Sequence, residues 1–301
     1  MEREIQIEIS KQCPLNCVHC SSLELRLEES MQKFDDQMLL SFFEMLSESV
    51  HVYYTGGEPL LYNGLENLCK QTKKIRATNV GLYTCGVKRD NKKLIPLSYE
   101  DAERLAIAGV SDCYISIYSN DPKKHNFITN ANTLDITCES VNHLIEAGIV
   151  VKAHIVLMNE SINSLYDTIE FVKKKGFSAA RILGLSKIGN AHKHWQKIGI
   201  DYNRQKTLIR DFISNYPKNK FEVSVSGFPE LFPCRPSADA KGCQRGSKVL
   251  YITYTGEVYP CACTKNMSNY KIGSLNNLTQ LIKHLKDYDN TIFDCCARMN
   301  N

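Results

Sequence analysis

The sequence contains no long hydrophobic run, which argues against a helical membrane protein. No stretch of the 301 residues approaches the roughly 18–20 consecutive apolar residues that a membrane-spanning helix requires. At the amino terminus, charged residues alternate with Ile5, Ile7 and Ile9, which predicts an amphipathic strand rather than a secretory signal peptide. We therefore expect a soluble, cytoplasmic protein with no membrane partner.

An excess of either charge is also absent. The 37 basic and 33 acidic residues leave a formal net charge of +4, which is too even to indicate binding to nucleic acid. Hydrophobic residues make up 43% and charged residues 23%, as in ordinary globular proteins, so general disorder is not expected. The sequence shows no repeat of solenoid period and no low-complexity segment.

Cysteine, by contrast, is abundant. The chain has 13 cysteines and no export signal, and the reducing cytosol argues against a disulfide framework. Metal ligation is the better explanation for clustered cysteines, and packing in the core for isolated ones. Cys69, Cys113 and Cys138 have apolar or helical surroundings and are predicted to be core residues.

Strand-like and helix-like segments alternate along most of the chain. The pattern predicts strands at 3–10, 51–54, 80–84, 113–118, 149–158 and 179–183, and helices at 35–49, 61–72, 98–108, 133–147 and 165–175. Six strands are too few for a closed eight-stranded barrel of about 250 residues. The predicted fold class is α/β, with a partial (β/α)6 barrel in residues 1–217 and ligands at the carboxyl ends of its strands.

The regular alternation of strand-like and helix-like segments ends after residue 217. Strand-like pieces at 221–226, 249–253 and 257–259 are joined by loops that carry Pro, Gly and Cys, and a hairpin turn is predicted at Thr255–Gly256. A helix is predicted near 277–288. Residues 218–301 are therefore expected to form a small Cys-rich α+β domain.

Three cysteines follow the first predicted strand on one short loop. Cys13, Cys17 and Cys20 could hold three corners of a cubane [4Fe–4S] cluster, leaving the fourth iron for a small molecule. The alternative is a structural zinc site with His19 as its fourth ligand. His19 lies between two of the cysteines on a tight turn, where its ring is expected to point away from such a metal.

The C-x3-C-x2-C spacing resembles the signature of the radical S-adenosylmethionine (SAM) superfamily, and the resemblance extends over residues 3–190. Gly56, Gly57, Glu58 and Pro59, after the second strand, resemble the family's GGEP motif, which binds the amino group of SAM. The chemistry agrees, because glycines allow close approach of the backbone and Glu58 supplies negative charge for an ammonium group. The resemblance further implies SAM contacts from the following residues: His19, Ser116, Ser119, Asn159 and Leu183. Cys85 departs from the Asn that relatives often carry there.

A second resemblance covers the carboxyl-terminal cysteines. The spacing from Cys243 through Gly246 and Gly256 to Cys261 resembles the SPASM/twitch extension, whose cysteines bind an auxiliary [4Fe–4S] cluster. Cys295 and Cys296 are candidates for the late ligands, with Cys263 or Cys234 as substitutes. Packed or zinc-binding thiols are the alternative.

The resemblance to the family implies a mechanism. Reductive cleavage of SAM would give a 5′-deoxyadenosyl radical that removes hydrogen from a substrate, with electrons from a flavodoxin or ferredoxin. The chain starts at the first strand without a leader-binding domain, which favours a small-molecule substrate. Among compact members it resembles the queuine lyases, which act on a modified 7-deazaguanine. A peptide-modifying maturase is the second hypothesis, and a non-catalytic iron–sulfur protein is the third.

The sequence leaves the roles of Glu8, His154 and the segment 189–197 undecided. Glu8, on the first predicted strand, faces either the barrel lumen or solvent. His154, on the fifth, either faces the lumen or packs between the layers. Residues 189–197 are predicted to be an exposed polar loop. Their His and Trp side chains are an alternative source of substrate contacts.

Overall fold

The computed structural model describes residues 3–75, 77–217, 221–228, 246, 248–265 and 267–287. Its strands are β1 (Arg3–Ser10), β2 (Val50–Gly56), β3 (Ala77–Thr84), β4 (Val87–Asp90), β5 (Lys93–Pro96), β6 (Asp112–Ser116), β7 (Val150–Val156), β8 (Ala179–Leu183), β9 (Glu222–Ser226), β10 (Val249–Ile252), β11 (Glu257–Tyr259) and β12 (Gly273–Ser274). Its α-helices are α1 (Leu23–Leu27), α2 (Asp36–Met45), α3 (Leu65–Lys74), α4 (Tyr99–Ile107), α5 (Pro122–Thr129), α6 (Leu134–Glu146), α7 (Leu165–Lys174), α8 (Asn190–Ile198), α9 (Tyr202–Asn215) and α10 (Leu278–Asp287).

A single large sheet runs through the described part of the chain in the order β12-β11-β10-β1-β2-β3-β6-β7-β8-β9. Its central strands β1, β2, β3, β6, β7 and β8 are parallel. Helices follow each of them in the chain, which confirms the predicted partial barrel.

Alternation along β1 determines which side chains face the helices. Ile5, Ile7 and Ile9 are fully buried in the core that β1 shares with α2, whose Phe42 and Phe43 are also buried. The polar residues between these isoleucines consequently face the barrel lumen. The predicted core cysteines Cys69, Cys113 and Cys138 are likewise buried and belong to this cluster.

The carboxyl-terminal strands extend the barrel sheet at both ends. β9 pairs in parallel with β8, and β10 pairs in parallel with β1. β11 then returns antiparallel through the predicted hairpin, where Gly256 has φ +83° and donates to the carbonyl of Thr253 at 2.9 Å. The division between residues 217 and 218 stays a prediction.

Several elements differ from the sequence-based expectations. Residues 189–197 do not form an exposed loop, because α8 occupies 190–198 and Asn190 donates through Nδ2 to the carbonyl of Cys17 at 2.9 Å. The predicted helix at 61–72 begins at Leu65, since residues 59–61 form a 3₁₀ turn capped by Glu58. The β4–β5 hairpin, α5 and α9 were not expected. No helix in the described ranges is long and apolar enough to cross a membrane.

Candidate active site

A cavity of about 400 Å³ lies where the central strands end. It is lined by Gly56 at the end of β2, Thr84 at the end of β3, Ser116 at the end of β6 and Leu183 at the end of β8. Gly227 also lines it, so residues after β9 contribute to the wall. This is the edge of the sheet at which the sequence predicted a ligand.

The three loop cysteines all line this cavity. The turn between them is held by the N–H of Cys20, which donates to the carbonyl of Cys17 at 3.2 Å. Asn190, at the start of α8, donates its backbone N–H to the carbonyl of Cys20 at 2.9 Å. Arg89 donates to the carbonyl of Pro14 at 2.7 Å. The loop is therefore fixed by contacts to two other parts of the barrel.

The electrostatics of the loop suit a metal cluster. Burial, together with the Glu58 carboxylate, raises the pKa of the Cys13 thiol to about 12. Burial, with the neighbouring Cys20 and Cys13 thiols, also raises the pKa of Cys17 well above its ordinary value. Thiols in such surroundings become thiolate ligands only when a cationic group binds them, and iron of a cluster supplies that charge. Among the described residues no set of three His, Cys, Asp or Glu side chains converges on a single-ion site.

The glycine loop (residues 56–59) lies directly against the start of the cysteine loop (residues 11–22, between β1 and α1). Gly57 donates to the carbonyl of Ser10 at 2.6 Å, and Glu58 donates to the carbonyl of Gln12 at 2.7 Å. A Cβ at Gly57 would lie 2.3 Å from the oxygen of Gln12, and one at Gly56 would lie 2.3 Å from the oxygen of Ser10. Only glycine fits at these two positions without a backbone shift.

Glu58 is a buried carboxylate whose hydrogen-bond donors among the described residues are all neutral. Its Oε1 accepts from the hydroxyl of Thr84 at 2.5 Å and from the N–H of Leu60 at 3.2 Å. Its Oε2 accepts from the N–H and the thiol of Cys85, each at 2.9 Å. Burial raises the pKa of Glu58, and these hydrogen bonds offset only part of the effect. With four donors in place, the carboxylate would act on a cationic ligand through its field rather than through another hydrogen bond.

The residues that the sequence predicted to contact SAM divide into two groups. His19, Ser116 and Leu183 line the cavity, as do Gly56, Gly57 and Glu58. The pKa of His19 is lowered to about 4 by burial, and its Nδ1 is buried without a hydrogen-bond partner in the described ranges. Its ring meets that of Tyr118 edge-on, with centroids 4.7 Å apart.

The second group does not line the cavity. Pro59 begins the 3₁₀ turn behind the glycine loop. Ser119 is fully buried and bonds to the hydroxyl of Ser164 at 3.3 Å. Asn159 is exposed, and its N–H donates to the carbonyl of Ile198 at 3.0 Å.

The polar floor of the cavity includes Glu4, Gln6 and Tyr83, which the sequence did not single out, and His154, which it left undecided. Gln6 donates to Oε1 of Glu4 at 2.7 Å, and the hydroxyl of Tyr83 donates to the same atom at 2.8 Å. His154 stacks on Tyr114 with centroids 4.4 Å apart, and it lines the cavity with Glu4, Gln6 and Tyr83. The period-two alternation of β1 was the available signal, because it places Glu4, Gln6 and Glu8 on the lumen side.

The carboxyl-terminal cysteines are described only in part. Cys261 and Cys263 line the same cavity as the loop cysteines. The thiol of Cys263 lies 3.7 Å from the hydroxyl of Ser186, which follows β8. The other candidates, Cys234, Cys243, Cys295 and Cys296, lie outside the described residues. Trp195 of α8 lines the cavity, whereas His192 is exposed.

Comparison with protein-family models gives two matches. The radical SAM superfamily model matches residues 7–172. The SPASM model, an iron–sulfur cluster-binding domain, matches residues 243–296.

Similar sequences come from several enzymes. A probable GTP 3′,8-cyclase of Methanococcus aeolicus is 25% identical over 276 residues, covering 86% of this chain and 85% of that protein. The AdoMet-dependent heme synthase of Nitratidesulfovibrio vulgaris is 23% identical, covering 84% of this chain and 72% of its own length.

Solved structures show the same fold. Streptococcus suis SuiB bound to its precursor peptide SuiA superposes with a TM-score of 0.70 at 16% identity, covering 96% of this chain and 65% of that one. The chain thus spans less than two thirds of SuiB. The structure of anSMEcpe with AdoMet and the Cp18Cys peptide gives a TM-score of 0.69 at 15% identity, covering 95% and 80%.

Proposed function

Because the chain belongs to the radical SAM superfamily, we propose that it is an enzyme that cleaves SAM reductively and removes hydrogen from a small polar substrate. Its cofactors are a [4Fe–4S] cluster and SAM, with auxiliary iron–sulfur binding in the SPASM region. When bound, the reduced cluster and SAM supply a 5′-deoxyadenosyl radical to the substrate. We further propose a cytoplasmic location and a flavodoxin or ferredoxin as the electron donor.

The residue assignments follow from the cavity wall. In this proposal Cys13, Cys17 and Cys20 hold the cluster, and the loop at 56–58 receives the ammonium end of SAM. His19, Ser116 and Leu183 contact the rest of SAM, since they line the same cavity. Pro59, Ser119 and the exposed Asn159 do not line the cavity and are left out of the proposed contacts.

The observation that supports a small substrate is the cavity itself. Its volume of about 400 Å³ is within the range of small-molecule sites, and it has to accommodate SAM as well. The floor offers the carboxylate of Glu4 and the amide of Gln6 beside aromatic rings, which suits a planar, hydrogen-bonding base. A modified 7-deazaguanine fits this chemistry, and the resemblance to enzymes named as GTP 3′,8-cyclases points to a related purine.

A peptide maturase is the second candidate. Two solved structures of the same fold contain a bound peptide, and the SPASM match of this chain favours the same class. In that case a peptide side chain rather than a whole molecule would enter the cavity.

The central proposal is tested by anaerobic reconstitution. Wild type should bind a [4Fe–4S] cluster and form 5′-deoxyadenosine from SAM under reducing conditions. A triple Cys13/Cys17/Cys20→Ala variant should lose all SAM cleavage, whereas Cys69→Ala, a buried thiol outside the cavity, should keep it. Cleavage that survives the triple substitution would refute the assignment.

The substrate is tested with the same assay. A 7-deazaguanine base, GTP and short peptides would be compared for 5′-deoxyadenosine formed above the substrate-free background. Deuterium transfer from the labelled substrate into 5′-deoxyadenosine would identify the hydrogen that is removed. Stimulation by peptides alone would favour the maturase.

Iron counting tests the auxiliary cluster. We propose that its ligands come from the cysteines at positions 243, 261, 263, 295 and 296, in the proposed domain of residues 218–301. Four irons per chain should remain in the triple variant if one cubane cluster binds there. A variant without iron would show that these thiols hold no cluster.

A further inference from the structure

Two cysteine-bearing segments that are far apart in the sequence meet at a buried ion pair. Nζ of Lys265 lies 2.8 Å from Oε1 of Glu8, across a separation of 257 residues. Lys265 also donates to Oγ of Ser22 at 2.7 Å, and Ser22 donates to Glu8 at 3.2 Å. Ser22 follows Cys20 by two residues, and Lys265 follows Cys263 by two. The pair therefore joins the cysteine loop to the SPASM-matched segment.

The carboxylate of Glu8 has a complete set of partners. The hydroxyl of Tyr251 donates to Oε1 at 2.6 Å, and the N–H of Tyr254 donates to Oε2 at 3.1 Å. Burial alone would raise the pKa of Glu8, but Lys265 and the hydrogen bonds hold it below its ordinary value. Glu8 is therefore ionised at neutral pH, although only 3% of it is exposed.

Stability alone does not require an ion pair at this place, because packed apolar side chains often stabilise a core equally well. Its location suggests another role. Cys20, Ser22, Tyr251 and Cys263 line the same cavity, so the pair lies just behind the wall that holds the cysteine loop. Net charge and hydrogen bonding around an iron–sulfur cluster set its reduction potential, and a charge acts strongly in a medium of low dielectric.

We infer that the Glu8–Lys265 pair is a positioning element of the radical-generating loop. It holds the cysteine loop against residues 261–265 through the bonds of Lys265 to Glu8 and Ser22. Because the two charges cancel, the pair adds no net charge beside the cluster. The inference rests on the proposed function, because it concerns a cluster on Cys13, Cys17 and Cys20. Loss of either charged side chain would leave the other uncompensated next to that cluster.

The test measures, by anaerobic spectroscopic titration, the reduction potential of the cluster on Cys13, Cys17 and Cys20, identified as the signal that the triple Cys13/Cys17/Cys20→Ala variant lacks. Glu8→Gln leaves the lysine charge alone and should raise the potential, whereas Lys265→Gln leaves the carboxylate and should lower it. The double variant should return close to wild type. Lys265→Arg keeps the charge and should keep the potential, even where its altered shape loosens the loop.

A matched control is the ion pair between Lys152 and Asp112, which lies at the opposite end of β6 from the cavity. Lys152→Gln should leave the potential unchanged. A structural role alone would move both Glu8 and Lys265 variants in the same direction, and that result, or no shift with the cluster present, would overturn the inference. A wild-type chain that takes up no cluster overturns the proposed function as well.

Discussion

Glu8 and Glu58 are buried carboxylates at the ends of two neighbouring strands, but the regions around them compensate the charge differently. Glu8 of β1 pairs in register with Thr55 of β2, three residues before Glu58. The junction around Glu8 supplies the ammonium of Lys265 at 2.8 Å. The donors to Glu58, from Thr84 and Cys85 at the end of β3, are neutral. The pKa is accordingly lowered at Glu8 and raised at Glu58.

The charge of Glu8 is neutralised by a cation of the protein itself, whereas the charge of Glu58 is left for a ligand. A buried carboxylate without a cation is unfavourable, and proteins keep such groups mainly at functional sites. Glu58 lines the cavity, where the ammonium group of SAM would provide the missing charge in the proposed function. Glu8 has its cation in the chain and is positioned behind the cavity.

The largest expected effect comes from removing the cation beside Glu8. Lys265→Met should lower the free energy of unfolding by about 3–5 kcal/mol, because it leaves a buried carboxylate uncompensated. Lys271→Met breaks a half-exposed pair with Glu257 and should change the free energy by less than about 1 kcal/mol. Urea denaturation of the cluster-free protein measures both. Equal losses in the two variants would contradict the comparison.

The next effect concerns the position of the glycine loop. Gly57→Ala places a Cβ against the backbone oxygen of Gln12 and should lower the stability by roughly 1–3 kcal/mol. It should also weaken SAM binding at least about tenfold, because the loop moves away from the cysteines. The control is Gly148→Ala, at a φ of +82° with no atom within 4 Å of the new Cβ. It should be destabilised by backbone strain alone and should bind SAM normally in equilibrium dialysis.

The places of the cysteine loop and of the glycine loop that carries Glu58 were predictable from the sequence, because their determinants are local. The cysteine spacing, the glycines and their place after the first two strands all lie within residues 3–59. The strand alternation likewise predicted the barrel. The helix predicted at 98–108 likewise forms as α4, and the hydroxyl of Ser98 caps it by accepting from the N–H of Asp101 at 3.2 Å.

The Glu8 region was not predictable, because its partners are distant in the chain. Nothing in the pattern around Glu8 indicates Lys265 or Tyr251, which come from segments more than 240 residues away. Helix α8 was missed for a related reason. Its first residue, Asn190, is fixed by contacts to the cysteine loop rather than by a local capping signal.

A neutral hydrogen-bond donor should contribute more to stability at Glu58, whose described donors are all neutral, than at Glu8, which is paired with Lys265. Thr84→Val removes a hydroxyl that donates to Glu58 and should lower the stability by about 1–3 kcal/mol. Ser22→Ala removes a hydroxyl that donates to Glu8, which retains Lys265, and should lower it by only about 0.5–1.5 kcal/mol. Denaturant unfolding of both variants gives the order. A larger loss in Ser22→Ala would indicate that the ion pair does not dominate at Glu8.

The smallest effect is the pH dependence of stability, and its sign differs between the two carboxylates. The raised pKa of Glu58 gives stability that is present below the ordinary value of 4.5 and is lost as the pH rises through the raised pKa. The lowered pKa of Glu8 gives stability that is present above 4.5 and is lost as the pH falls through the lowered pKa. One group changes the slope by at most about 1.4 kcal/mol per pH unit.

Unfolding of the cluster-free protein between pH 4.5 and neutrality separates these contributions. Glu58→Gln should remove a decline of stability above pH 4.5, whereas Glu8→Gln should leave that decline in place. Saturating SAM on the cluster-loaded protein should reduce the decline as well, because a bound ammonium stabilises the ionised carboxylate. A decline that persists unchanged in Glu58→Gln would show that Glu58 is already compensated, and the contrast between the two regions would then fail.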